Sequence, residues 1–473
     1  MQTKHAPTDV SGRGAAATPS ITFKAGTREC KIRFSDRKLT AHAGTAGFWA
    51  WLWSTPLIPL ISGLLPHAKP RSNNNIEPLT KFLTLLQGLL CGMQRVAHAS
   101  YLRHDPLHAE LLNVTRLPSQ SVLSRFLGGF RGAAANLAVF DPLWRWCLAQ
   151  LPSRKGGYAL DLDSTRLLHE DGHQEGVLTG YTRMGTKPCL HPLLAVLSEV
   201  KLVAGFWLRS GNCACANNAV AFFRSLWERL PSQVRLRVVR ADSGFCVPEL
   251  LDLWEELKLP FIVVGRLNTN IKFLLRSGIT WEQSGIKGTE VSEVWHREGA
   301  WKRERRLILV RHTVAEKKRP GGKKLLETPG YLYQTLITSH PAHTHSPLKV
   351  WREYNGRADC ENAIKELDHG FGLAGFCCHK FWATEALLST VVLACNLVTL
   401  FERKLGWTPR ATVRSLRYWM FTTPGIVVRR AGSTVLHLAV PPDLRDWWRT
   451  LWEKITSPWP NCNAVGTRPG WAR

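Results

Sequence analysis

The chain has 473 residues, 44% of them hydrophobic, with 62 Lys and Arg against 36 Asp and Glu, a formal net charge of +26. The hydrophobic share excludes an intrinsically disordered polymer, and the length allows roughly two to four domains. The charge excludes a near-neutral surface and favours a polyanionic partner, because each phosphate neutralised releases counterions. The twelve cysteines occur singly apart from Cys213-x-Cys215 and the adjacent Cys377 and Cys378. With no Cys-x-x-Cys pair, a zinc ribbon or finger is not expected. No apolar export segment opens the chain, so its thiols read as reduced cysteines of a cytoplasmic protein.

In chain order, residues 1–45 read as a flexible basic arm, whose 28–40 segment (RECKIRFSDRKLT) suits a strand pair or an arm on DNA. Phe48 to Leu65 is the only stretch read as near-membrane in hydrophobicity, and it carries Pro56 and Pro59. It is short for a span, so it predicts a buried helix, or one broken at its prolines, and no membrane. Residues 46–150 read as a helical domain, with Leu79, Phe82, Leu83, Leu86, Leu89 and Leu90 at helical spacing. Ser119 is placed to cap a helix that ends near Gly128, and Arg125 on it is placed to touch phosphate. A DNA-binding module and an ordinary packing domain both fit this region.

From Gly157 the pattern changes. Tyr158–Leu162, Leu190–Glu199 and Lys201–Arg209 read as strands, Asn217–Leu230 as a helix, Val234–Arg240 as a strand, Pro248–Leu257 as a helix and Pro260–Gly265 as a strand. Periodicity alone gives α/β; the element order matches an RNase H-like domain, with its first part over 155–265. Residues 266–347 read as a β-rich basic insertion, with Lys317, Lys318 and Arg319 ahead of a Pro-Gly-Gly turn that suits a DNA backbone. Residues 348–405 return to helix as the second part of the core, and Phe381 to Phe401 predicts a core helix. Residues 406–473 form a basic Trp-rich tail.

Three acids stand at junctions in this pattern: Asp163 in ALDLDSTR, Asp242 in LRVVRADSGF and Glu361 in EYNGRADCENAIKEL. The first two end strands, and the third lies on a helix. Asp161 and Asp163 share one face of their strand, where two carboxylates repel unless a cation lies between them. A turn aspartate is the competing reading for Asp163 and for Asp242. Tyr354, Arg357, Glu361, Lys365 and Asp368 follow one another at helical spacing, which also fits a plain salt-bridged surface helix. Carboxylates gathered from such positions can hold two Mg²⁺ ions and drive phosphodiester chemistry.

The Tyr354-x-x-Arg357-x-x-x-Glu361 pattern resembles the signature of bacterial insertion-sequence DDE transposases, in the branch with a β-domain inserted before the final Glu. Asp161-x-Asp163-Ser-Thr, Arg240-Ala-Asp-Ser-Gly-Phe245, Leu208-Arg-Ser-Gly-Asn212 and Glu361-Asn-x-Ile-Lys-Glu-Leu resemble the same family, over about residues 45–405. The resemblance implies Asp163, Asp242 and Glu361 as the metal-binding triad, with Asp161 as second choice for the first position. It implies Mg²⁺ as a pair of ions, with Mn²⁺ as a substitute. Tyr354, Arg357 and Lys365 would contact DNA. The family's lysine, seven residues after the Glu, is replaced here by Asp368. The implied activity is cleavage at element ends and transfer of the 3′-hydroxyl into target DNA by a homodimer on paired ends, associated with the nucleoid. A DNA-binding relative without cleavage, and a host nuclease on the same fold, are the competing classes.

Overall fold

The computed structural model describes residues 20–33, 37–67, 75–182, 185–313, 330–407 and 410–458. Strands β1 (Ser20–Ala25) and β2 (Arg28–Arg33) form an antiparallel hairpin within the segment expected to be a flexible arm. Strand β3 (Leu39–Thr40) follows and is taken up into a sheet formed mainly by the far end of the chain.

The apolar stretch at 48–65 is two helices, α1 (Thr45–Trp53) and α2 (Leu57–Leu64). The break falls at Pro56, which caps α2, while Pro59 sits in its first turn, where a missing N–H removes no helical bond. α1 is buried along most of its length, with Phe48 edge-on to Trp51, Phe401 and Phe421, and α2 packs inward through Leu57, Ile58 and Ile61. The helical region continues through α3 (Pro78–Leu90), α4 (Ala99–Leu102), α5 (Pro106–Leu111), α6 (Gln120–Leu127) and α7 (Ala133–Ala149). Ser119 and Gly128 bound α6, as expected.

The core opens with β4 (Tyr158–Ser164). A small sheet of β5 (Leu167–Leu168), β6 (Leu178–Thr182) and β7 (Gly185–Leu190) follows, in a stretch the sequence left unassigned. Next come β8 (Leu193–Leu197), β9 (Leu202–Trp207), α8 (Ala219–Arg229), β10 (Leu236–Ala241), α9 (Pro248–Glu256) and β11 (Phe261–Val264). The order β9-β8-β4-β10-β11, with β4, β10 and β11 parallel and β8 antiparallel to both β4 and β9, is the RNase H-like sheet.

The 266–347 segment holds α10 (Thr269–Arg276), which the β-like reading missed, then β12 (Glu282–Gln283), β13 (Thr289–His296), β14 (Arg305–Thr313) and β15 (Tyr331–Thr338). These strands do not make a sheet of their own. β15 pairs antiparallel with β11, so one nine-stranded sheet runs β12-β13-β14-β15-β11-β10-β4-β8-β9. Lys317, Lys318 and Arg319 lie outside the described residues.

Helices α11 (Pro347–Asn355) and α12 (Ala358–Lys365) come next, then a π turn over Glu366–Gly370 and the long helix α13 (Phe381–Lys404). Not Phe48–Leu65 but α13 is long and apolar enough to cross a membrane, and its apolar window is wholly buried. Its polar groups are spent on the protein. Asn396 exchanges two hydrogen bonds with the backbone of Val203, 2.9 and 2.8 Å, and so satisfies the outer edge of β9. Glu385 accepts from Leu208 N at 3.1 Å and from Asn136 at 2.7 Å. The chain closes with α14 (Val413–Leu416), a hairpin of β16 (Gly425–Arg430) and β17 (Ser433–Leu438), and α15 (Arg445–Thr456). β3 pairs with β16, so the two ends of the described chain share a sheet.

Apolar residues cover the sheet on both faces. Ala159, Val238, Ile262, Ile308 and Leu336 lie under Val350 of α11. Leu160, Val239, Phe261 and Val263, one residue out of phase, belong to the main core with Phe223 and Trp254. Loop 208–217 is drawn in by buried Arg209, which donates to the carbonyls of Ala214, Cys215 and Asn217 at 2.7–3.1 Å. His191 beside it donates through Nδ1 to Cys213 O at 2.8 Å. Burial first, and then the charges of Arg209 and Arg166, pull its pKa from 6.5 to about 4.

The unfolded chain therefore takes up this proton near pH 6.5, and the folded chain only near 4. Stability is expected to be intact above pH 6.5 and to fall as pH drops from 6.5 toward 4. Urea midpoints measured across that interval should fall less steeply in His191→Gln than in wild type. Equal slopes would show that His191 does not couple to folding.

Candidate active site

The site is built on two neighbouring strands. Parallel pairing of β4 and β10 sets Ala159 beside Val238 and Arg240 beside Asp161. The last registered pair is Leu162 with Ala241, so Asp163 and Asp242 are the next step along. Side chains alternate across a strand, so Ala159, Asp161 and Asp163 share the face of Val238, Arg240 and Asp242. Ala159 and Val238 lie in the cluster under α11, which identifies that face. Along it the pairs run from apolar with apolar, to acid with base, to acid with acid.

The middle pair is a closed ion pair. Asp161 is wholly buried, and Arg240 is 3% exposed. Arg240 Nε and Nη2 reach Asp161 Oδ1 and Oδ2 at 2.6 and 2.9 Å, and Ser198 Oγ donates to Oδ2. The remaining guanidinium nitrogen, Nη1, donates to the backbone carbonyl of Glu353 on α11 at 2.6 Å. Asp161 has no face toward solvent. Both oxygens of Asp161, the second choice for first metal ligand, are thus engaged by Arg240 and Ser198.

The outer pair is like-charged, and α12 brings a third acid to it. Arg357, at the start of α12, donates through Nη2 to Leu162 O at 3.1 Å and to Asp163 Oδ2 at 2.9 Å. Burial raises the pKa of Asp163; Arg357 opposes that, while the charges of Asp242 and Glu361 add to it. Glu361, one helical turn after Arg357, is exposed. Asp242 Oδ1 accepts from Gly244 N at 2.9 Å and so caps the turn after β10. A Cβ on Gly244 would sit 2.6 Å from that of Cys215, in the loop shaped by Arg209. The three carboxylates do not draw within 4.8 Å of one another, as two other side-chain groups do. They offer hard oxygen donors that repel in the absence of a cation, a set that fits Mg²⁺ or Mn²⁺.

Other residues marked in the sequence are placed as follows. Arg357 is 8% exposed and faces inward, so its guanidinium is engaged by Asp163 rather than free for phosphate. Tyr354 is half-buried and packs on the cluster under α11; burial raises its pKa. Lys365 is exposed and lines a cleft of about 570 Å³ with Lys201, His369, Arg410 and Arg414. Those four were missed, because they come from separate segments without a shared motif. Arg125 is exposed and lines a second cleft, of about 850 Å³, with Arg95 and Lys380. That cleft includes Leu168–Gly172, just beyond the end of β4. Asp368, where the family carries lysine, accepts from Ala374 N at 3.3 Å and steadies the turn after α12.

Comparison with known proteins identifies the family. The model of the family described as "Transposase DDE domain group 1" matches residues 24–457, and the chain belongs to that family. It is therefore a transposase, which bears out the resemblance seen in the sequence. No curated protein matches the chain. Among solved structures it is similar to the piggyBac transposase in a synaptic complex with hairpin DNA, at 14% identity and a TM-score of 0.43, covering 92% of this chain and 90% of that one. The Drosophila P element transposase strand transfer complex is matched at 12% identity and a TM-score of 0.23, over 45% and 47%.

Removing one partner of a buried ion pair leaves an uncompensated charge, at a cost of about 3–5 kcal/mol. Arg240→Ala is expected to lose stability of that order, about 3–5 kcal/mol, in urea unfolding. A loss under about 1 kcal/mol, the scale of a surface pair, would show that the Asp161 pair is not the strut described.

Proposed function

We propose that Asp163, Asp242 and Glu361 are the catalytic triad of an insertion-sequence transposase that cuts element ends and joins the freed 3′-hydroxyl to target DNA. The observation that carries this reading is the third acid. Glu361 comes from a helix far along the chain, one turn after the Arg357 that pairs with Asp163, and Asp242 is the strand neighbour of Asp163. Asp161 is left out, because Arg240 and Ser198 consume its oxygens.

Two Mg²⁺ ions held by these carboxylates would activate the attacking oxygen and stabilise the leaving oxygen of an in-line displacement. The chain's own groups prepare that arrangement. Arg357 favours the carboxylate form of Asp163 and opposes the burial and like charge that raise its pKa. Arg240 fixes the spacing of β4, β10 and α11 behind the site. The basic clefts with Lys365 and Arg125 flank the region and suit the DNA backbone, with Tyr354 near the acids. Terminal inverted repeats and target DNA are the partners in this reading. Pairing two ends calls for two copies, a homodimer, acting at the nucleoid.

The test is a Mg²⁺-dependent cleavage assay on end-containing DNA, with wild type beside Asp163→Ala, Asp242→Ala and Glu361→Ala. Each variant should lose about 10²-fold or more in cleavage while still shifting the DNA in gels. Three variants that cut as well as wild type would sink the triad. Cleavage without any strand-transfer product would point to a nuclease on this fold.

A further inference from the structure

A second group of side chains lies behind the acids, in the turn 339–346 between β15 and α11. His340 Nε2 and His345 Nε2 face the same oxygen, Oε2 of Glu353, at 3.6 and 3.7 Å. The two rings stack at 3.9 Å between centroids and 21° between planes. All three ligand atoms lie within 4.8 Å of one another. These separations are too long for hydrogen bonds, which run at about 2.7–3.2 Å. They are close to ligand spacing around a tetrahedral ion, where bonds of about 2.0–2.2 Å put ligands about 3.3–3.6 Å apart.

The protonation pattern points the same way. Thr344 Oγ1 lies 3.1 Å from Pro341 O and 2.9 Å from His345 Nδ1. A neutral His345 that donates from Nδ1 to Thr344 presents a lone pair on Nε2. A lone pair and a carboxylate oxygen then confront each other with no proton between them. His340 is 7% exposed, and its Nε2 is buried without a hydrogen-bond partner. Burial first, and neighbouring positive charge after it, lower the pKa of both rings, that of His340 to about 4.

The surroundings fix the backbone of the turn and the Glu353 carboxylate, and the two stacked rings turn about their side-chain torsions to bring both lone pairs onto one ion. Arg306, fully buried and paired with Glu293 at 2.7 Å, donates to the carbonyls of His340 and His345 at 2.9 and 2.8 Å. Arg237 holds the other oxygen of Glu353 and also pairs with Glu199. The second cluster of this kind, His42, Cys91 and His108, differs. There Trp49 Nε1 donates to Gln87 Oε1, which turns the Gln87 amide nitrogen onto His108 Nδ1 at 2.8 Å. That lone pair is already in use.

We propose that His340, His345 and Glu353 bind one divalent transition ion of the Zn²⁺ class, with a fourth position open to water. Two imidazoles and a single carboxylate suit such an ion, whereas Mg²⁺ prefers oxygen ligands. The ion staples turn 339–346 to α11, the helix that leads into Arg357 and Glu361 and whose Glu353 carbonyl is held by Arg240. It does not depend on the role proposed for the acidic triad.

The probe is Zn²⁺ alone, added to full-length protein carrying Asp163→Ala and Asp242→Ala, so that the acidic site cannot contribute. After chelator treatment, calorimetric titration and metal analysis of dialysed protein should give one equivalent. The equivalent should be lost in His340→Ala and in His345→Gln, and kept in Cys91→Ser. Zn²⁺ should raise the melting temperature of the parent and leave that of His345→Gln unmoved. His345 is the more exposed ring, so its variant carries the comparison, with circular dichroism matched to the parent in chelator. No bound equivalent, an equivalent that survives both histidine changes, or one lost in Cys91→Ser would overturn the proposal.

Discussion

The Asp161–Arg240 ion pair is the constraint on which the rest of the site depends. Arg240 grips Asp161 on β4 with two nitrogens and α11 with a third, and Ser198 closes the far side. One guanidinium thus sets the separation of two strands and the seat of the helix above them. A single misplaced charge here would be left without water or a counter-ion, so the geometry admits little slack.

One step further along the same strands the pairing rule inverts. Asp163 and Asp242 stand where opposite charges would stabilise the sheet and like charges strain it. The fold tolerates this because Arg357 is lowered onto Asp163 by the helix that also presents Glu361. Burial alone would suppress the charge on Arg357; Asp163, together with Tyr354, Cys360 and Asp242, more than reverses that, and the pKa of Arg357 ends above its ordinary value. The strain is local, and α12 both relieves it and completes the acidic set.

Much of this was legible in the sequence. The alternation in Val234–Arg240, the apolar run before Asp163 and the core helix after Phe381 each declare their element. The choice between Asp161 and Asp163 was not legible, because both share a strand face and only a partner separates them. The clue is in the neighbouring strand, where Arg240-Ala-Asp242 repeats the spacing of Asp161-Leu-Asp163; it becomes readable once the register is known. Arg357 fits a phosphate contact by position in the motif, but its direction is decided by tertiary packing. The small β5–β7 sheet has strands of two to six residues with mixed exposure, so no clean period marks it. Apolar run length alone also cannot tell a membrane helix from α13, whose Asn396 and Glu385 serve neighbouring backbone groups.

The excursion between β11 and β15 extends the sheet at its edge with β12, β13 and β14 and comes back on a strand adjacent and antiparallel to β11. Its start and finish are therefore tied together at the sheet before α11 begins. Hairpins in between can be lengthened, shortened or exchanged over evolutionary time without altering how far Glu361 lies from the two aspartates. Sequence can diverge on one side of that hydrogen-bonded seam, while the acids on the other side stay in registration.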